Sequence, residues 1–224
     1  MNKKQALLQI LTTRKRGLIN HRLPDEYQQI EYIENTDGCY IQTNIVPSVD
    51  TNCEIDFEVS VNDDNCNVIM GSSNTYSGAP AYIIGLDPYT GASKIFWIRV
   101  GDSIAINIFQ STAITHLRHK IRYENKKLFI NEEEQTLWNQ PNLTESLAEN
   151  PIAIFIRRQY RGYYPTSGHT KLGKLYYCRF WGDVEAELIP CYRKSDDKTG
   201  LYDKVSGTFY TNNGSGNFVR GSII

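Results

Sequence analysis

The run from Cys53 to Val61 carries an acid at every second position: Glu54, Asp56 and Glu58, with Ile55, Phe57 and Val59 between them. In an extended chain successive side chains point to opposite faces, so the three acids share one face and the apolar residues the other. Two carboxyl groups about 5 Å apart can cleave a glycosidic bond with retention, one as nucleophile and one as general acid. The same alternation is what a half-buried antiparallel strand needs when one face meets water. The nearest tryptophan in sequence is Trp97, far from the acids, so the solvated-face reading is the expectation. No catalytic residue is assigned, and Glu54, Asp56 and Glu58 stand as the only acid–base candidates.

The remaining chemistry-bearing residues are scattered. Asp63, Asp64 and Asn65, or Asp87, resemble hairpin tips more than a calcium site, which needs six or more converging oxygens. His116 and His119 lie three apart on a strand-like run and so face opposite sides. His169 has no ligand partner in spacing. Five cysteines, Cys39, Cys53, Cys66, Cys178 and Cys191, form an odd set without a CxxC pair. They read as buried reduced thiols, which fits folding in a reducing bacterial cytoplasm. No phosphate loop and no nucleophile–base pair is present, so neither metal nor cofactor is expected.

Binding is the more promising chemistry. Between Arg157 and Pro165 the chain places Tyr160, Arg161, Tyr163 and Tyr164 in a polar setting. Tyrosine and arginine anchor interfaces at low entropic cost, and tyrosine rings also stack on the apolar faces of sugars. Packing onto the body of the domain, a protein interface and a glycan contact all remain open for this loop. A second such loop runs from Asn74 to Tyr82, with Tyr76 and Tyr82.

These residues must be carried by strands. From Tyr27 onward, short runs with period two alternate with turn residues: Asn67–Gly71, Ala81–Leu86, Ser93–Val100, Ser103–Phe109, Thr112–Tyr123, Lys126–Asn131, Gln135–Trp138, Pro151–Arg157, Thr170–Trp181 and Val184–Arg193. The Asp37-Gly38 turn predicts a hairpin that pairs Ile30 and Tyr32 with Tyr40 and Ile41. Glu132 to Glu134 predicts an acidic turn. Pro190 cannot donate to a ladder, so its strand is expected to leave the sheet or lie at an edge. More than ten short strands without βαβ alternation predict an all-β, two-sheet antiparallel sandwich over residues 24–224.

Residues 1–23 differ. Leu7, Leu8, Leu11, Leu18 and Ile19 recur at helical spacing, and Arg14, Lys15 and Arg16 interrupt them. This leader carries +6 and no acid, against −7 on the remainder of a chain whose net charge is −1. An amphipathic helix must bury its apolar stripe against something. The stripe either caps the sandwich or docks on another protein; the docking arm is preferred. A short face without an aromatic anchor argues against a membrane surface, and near-neutral overall charge argues against nucleic acid.

The C-terminal stretch carries a family resemblance. Ile189-Pro190-Cys191-Tyr192, then Gly200-Leu201-Tyr202-Asp203, then Gly207-Thr208-Phe209-Tyr210 with Asn213 and Gly216, is similar to the closing motif of laminin-G-like (concanavalin A-like) jelly-roll domains in bacteriophage structural proteins. Glu31 to Ile33, Tyr40 to Asn44 and Gly71-Ser72 resemble earlier parts of that pattern. The resemblance implies a jelly roll and marks Cys191, Gly200, Tyr202, Asp203, Gly207, Phe209, Asn213 and Gly216 as its fold motif. It implies a non-enzymatic virion protein, made in the host cytoplasm: a head fibre, capsid decoration or tail-associated subunit, repeated by symmetry. Its arm would join capsid, portal or tail proteins, and its rim would meet host-surface glycan. The alternative is a carbohydrate-binding adhesin or lectin module. Third comes a glycosidase, because Glu54-x-Asp56-x-Glu58 resembles the catalytic strand of one hydrolase family on the same sandwich.

Overall fold

The computed structural model describes residues 22–36, 38–59, 67–73, 81–88, 94–101, 106–108, 117–136, 150–159, 162–163 and 173–224. Its described residues hold strands and no helix. In chain order the strands are β1 (Tyr27–Gln29), β2 (Ile33–Glu34), β3 (Ile41–Gln42), β4 (Asn52–Val59), β5 (Asn67–Ser73), β6 (Ala81–Pro88) and β7 (Lys94–Gly101). There follow β8 (Ile106–Ile108), β9 (Arg118–Glu124), β10 (Lys127–Ile130), β11 (Glu133–Gln135), β12 (Ala153–Ile154) and β13 (Arg157–Gln159). The last are β14 (Gly162–Tyr163), β15 (Gly173–Trp181), β16 (Ala186–Arg193), β17 (Lys198–Asp203), β18 (Phe209–Thr211) and β19 (Val219–Arg220).

They form two sheets. The larger runs β11-β10-β9-β4-β15-β16-β17-β18, with β1 beside β16 and β2 joining β15 to β19. The smaller runs β14-β13-β5-β6-β7-β8, with β12 bridging β3 and β5. Among the described strands every pairing is antiparallel except the short β13–β5 contact. The alternation read from the sequence sets the inner faces: Ile55 and Phe57 of β4, Ile121 and Tyr123 of β9, and Leu175 and Cys178 of β15 meet Met70, Tyr82, Ile84 and Ile98 from the smaller sheet in one core. Burial on this scale is the main favourable term holding two sheets together. A second, smaller cluster lies on the opposite face of the larger sheet. There Leu23, Tyr27, Ile189 and Cys191 pack with Tyr177, Tyr202 and Phe209.

Four expectations are corrected. Ile30 and Tyr32 do not form a hairpin with Tyr40 and Ile41: Ile30 bridges Ile223, Tyr32 accepts the Gly221 amide, β2 pairs β15 and β19 in one sheet, and β3 pairs β12 in the other. The turn at Gly38 (φ 84°) therefore carries the chain between sheets. C-terminal residues take the partner's place, as the Tyr40 amide donates to Asn212 Oδ1 and the Tyr40 carbonyl accepts from the Asn213 amide.

Pro190 is not at an edge. Pairing of β16 with β15 ends at Leu188, and pairing with β1 begins at Cys191. The proline sits at this change of neighbour, where its carbonyl accepts the Ile30 amide, and the ladder asks for no donor from it. The predicted strand Pro151–Arg157 is broken at Phe155, whose φ is 66°; β12 runs antiparallel to β5 before the break and β13 parallel to it after. Finally, the acidic turn moves back: Asn131 and Glu132 take positive φ angles in a tight connection, and Glu133 and Glu134 belong to β11.

Candidate functional site

The three acids of β4 do share the outer face of the larger sheet, and each has a cation from a flanking strand. Glu54 lies 3.6 Å from Lys120 Nζ of β9. Arg118, two residues earlier on β9, donates from Nε and Nη2 to the two oxygens of Asp56 at 2.7 and 2.8 Å. Glu58 accepts from Lys174 Nζ and from the Tyr176 hydroxyl, both at 3.0 Å. These side chains keep 14%, 14% and 17% of their exposure, so each is largely covered by its neighbours among the described residues. A glycosidase's general acid sits in an apolar pocket away from cations, the opposite of this setting. The hydrogen bond to Glu58 raises Lys174 above the usual lysine value, which keeps the lysine charged. Cations and rings knit the strip further: Arg118 lies over the Tyr176 ring at 3.8 Å and Arg122 over Phe129 at 3.9 Å. A bulge between Leu175 and Tyr177 brings Tyr176 and Tyr177 both toward this face. The strip is a charge-paired sheet surface.

Other expected site residues fall elsewhere. Tyr82 is wholly buried, with its hydroxyl donating to the Thr51 carbonyl at 3.2 Å, so it is a core residue and not a loop contact. Tyr76, Tyr160, Arg161 and Tyr164 lie outside the described residues, and Tyr163 is described only in its backbone within β14. Also outside are Cys66, Asp63 to Asn65, His116, His169 and the docking residues Leu7, Leu8, Leu11, Arg14, Lys15, Arg16, Leu18 and Ile19. Cys39, Cys53, Cys178 and Cys191 are free thiols with no solvent exposure. Burial pushes Cys53 up to about 12, so it is no nucleophile.

The C-terminal motif acts as a structural clamp. Gly200 lies so close to the Tyr210 carbonyl that a Cβ would overlap it. Asp203, 2% exposed, accepts the Glu187 and Val205 amides at 3.0 Å each and the Ser206 hydroxyl at 2.6 Å. Tyr202 and Phe209 hold Tyr27 at ring distances of 4.7 and 4.9 Å. Gly207 and Gly216 take φ of 74° and 77°, which side chains rarely adopt. Asn213 Oδ1 accepts the Gln42 amide at 2.8 Å, tying the end of the chain to its beginning.

Beside this clamp opens a polar cleft of about 600 Å³, between the turn at Asp196 and Asp197, the end of β18 and the Gly216-Asn217 segment. Its walls are held in place. Arg220 donates to Thr199 Oγ1 at 2.6 Å, to Asp197 Oδ1 at 2.8 Å and to the Asp197 carbonyl, and lies 4.5 Å above the Tyr192 ring. Asn212 Nδ2 donates to the carbonyls of Gly214, Ser215 and Gly216, fixing the facing loop. Arg193 forks Asp196 at 3.0 and 2.7 Å, and this hydrogen bonding holds Asp196 down to about 2. Arg220 likewise lowers Asp197. Asp197 nevertheless stays 75% exposed in its side chain. Its second oxygen, the Thr211 hydroxyl and the Asn217 amide have no partner among the described residues. Such a site presents acceptors and donors to a ligand of ordinary pocket size. Sequence reasoning marked the motif as a fold signature and missed the cleft. The available signal was the density of Asp, Asn and Thr on both sides of it.

Fold and site together define a two-sheet β-sandwich with a polar rim cleft. No family model matches the chain, and no curated protein does. Among solved structures, a protein of Bacteroides ovatus ATCC 8483, whose proposed role is carbohydrate binding, superposes with a TM-score of 0.56 at 13% identity. The match covers 87% of this chain and 60% of that one, so this chain spans less than two thirds of its neighbour's length. At that identity the likeness shows a shared fold.

Proposed function

We propose that this protein is a non-catalytic carbohydrate-binding module whose ligand seats in the rim cleft beside the C-terminal clamp. The observation that carries the reading is the cleft itself, about 600 Å³ and rimmed by Asp197, Thr211 and Asn217, which offer polar atoms that nothing else in the described chain uses. Sugar hydroxyls both donate and accept, and they suit a mixed rim of carboxylate, hydroxyl and amide. Walls already fixed by Arg220 and Asn212 reduce the ordering cost of binding. The Bacteroides neighbour's proposed role supports the same class of ligand, and the cation-paired acids of β4 weigh against hydrolysis. The test is a glycan array with the full chain, the Asn217→Ala and Thr211→Ala variants, and a Tyr163→Ala/Tyr164→Ala variant. Loss of signal in the first two variants supports the cleft. Loss only in the tyrosine variant moves the site to that loop, and no signal in any chain overturns the reading.

A second reading rests on the leader and the closing motif: a laminin-G-like jelly roll displayed on a phage particle and joined to another virion protein through residues 1–23. Glycan binding at the rim is compatible with it. Particles assembled with the leader deleted would lack the protein; its undiminished presence there would count against the arm.

A further inference from the structure

The charged residues that line the cleft balance, two acids against two cations. Asp196, Asp197, Lys198 and Arg220 line it together, and Arg193 stands behind Asp196. Each arginine is committed: Arg193 spends its fork on Asp196, and Arg220 makes three hydrogen bonds to Asp197 and Thr199 while its face lies on Tyr192. Lys198 Nζ stands 3.7 Å from Asp196 Oδ2. An anionic ligand group approaching either arginine would therefore have to displace a carboxylate already in place, and one approaching the exposed Lys198 would still meet the outward oxygen of its neighbour Asp197. Like charges a few ångströms apart repel each other. Uncharged hydroxyls meet no such opposition.

We infer, building on the carbohydrate reading, that the cleft selects neutral saccharides and rejects acidic ones, with Asp197 as the residue that sets the selection. The hydroxyl pair of a neutral hexose meets the outward Asp197 oxygen as acceptor, with the Asn217 amide and Thr211 hydroxyl completing the rim. A uronate or sulfate in the same position brings a negative charge against Asp197 and finds no uncommitted arginine. Asp196 and Asp197 are both held below the usual carboxylate range by their arginines, so the selection persists at any mildly acidic pH.

The test uses matched probes: neutral hexose oligosaccharides and the same chains oxidised at C6 to uronates, titrated calorimetrically into the full-length protein at low and high salt. Expected is binding of a neutral probe with little salt dependence and at least tenfold weaker binding of its oxidised counterpart. The Asp197→Asn variant, which keeps the side chain's size, should narrow that gap at low salt. Equal or tighter binding of the oxidised probe would overturn the selection while leaving the carbohydrate reading standing. An unchanged gap in Asp197→Asn would remove Asp197 from its role. Binding of neither probe would remove the carbohydrate reading, and this inference with it.

Discussion

Arg118 clasps both carboxylate oxygens of Asp56 across the β4–β9 pair, and its guanidinium lies 3.8 Å over the Tyr176 ring. That one contact turns the middle acid of an apparent catalytic strand into a sheet-surface ion pair. Substituting Asp56→Asn, or Glu54→Gln with Glu58→Gln, is expected to leave polysaccharide hydrolysis at background. Because Arg118 is half exposed, the stability loss should stay within about 1 kcal/mol. Reducing-sugar release and urea denaturation check the two halves; a hydrolytic activity that disappears with the acids would reverse the assignment.

Gly200→Ala should be far more damaging. The added methyl would overlap the Tyr210 carbonyl on the neighbouring strand, so β17 and β18 must separate. Overpacking of this kind costs about 1–3 kcal/mol, visible as a lower urea midpoint with an unchanged slope. A variant with a wild-type midpoint would show that the strand pair gives way easily.

The thiols give a direct reading of the core. In a Cys66→Ser chain the four remaining cysteines are all buried, and burial lifts Cys53 and Cys191 to about 12. An aromatic disulfide reagent at neutral pH should label none of them while the protein is folded and all of them in denaturant. Fast labelling of the native chain would contradict this packing.

The turn that walls the cleft should resist acid. Asp196 is lowered to about 2 mainly by its hydrogen bonds with Arg193. A carboxylate depressed by folding contributes fully above its unfolded value near 3.9, and the contribution is lost as pH falls through the folded value. The turn should thus be intact at about pH 4 and titrate with a midpoint near 2 by carboxyl-carbon NMR. Arg193→Gln should return that midpoint toward the ordinary aspartate range; a wild-type midpoint already there would disprove the fork in solution.

Leu23 belongs to the cluster with Tyr27, Ile189 and Cys191 on the outer side of the larger sheet. Leu23→Ala should therefore destabilise the domain by about 2 kcal/mol, the low end for a buried leucine. Removing residues 1–21 while keeping Leu23 should leave the melting temperature nearly unchanged. A large fall on that truncation would mean that the leader seals the sandwich.

Local pattern was enough for much of this protein. Strict alternation in Cys53 to Val59 determines which face of β4 is buried, because the strand period is two whatever lies beside it. Turn residues in the C-terminal stretch likewise determine the β16–β17–β18 meander, since each connection is short and closes on its own chain neighbours. Contacts distant in sequence were decided only by the tertiary fold. Asp37-Gly38 has the composition of a hairpin turn, yet Asn212 and Asn213, more than 170 residues away, compete for the same strand and win it. Pro190 is tolerated inside a sheet because two other strands meet opposite it. The cleft, too, is invisible locally: Asp197, Thr211 and Asn217 are ordinary turn residues until Arg220 and Asn212 fix the surfaces between them. Side-chain period is a property of the chain alone, whereas a cavity is a property of which distant segments the core brings to one rim.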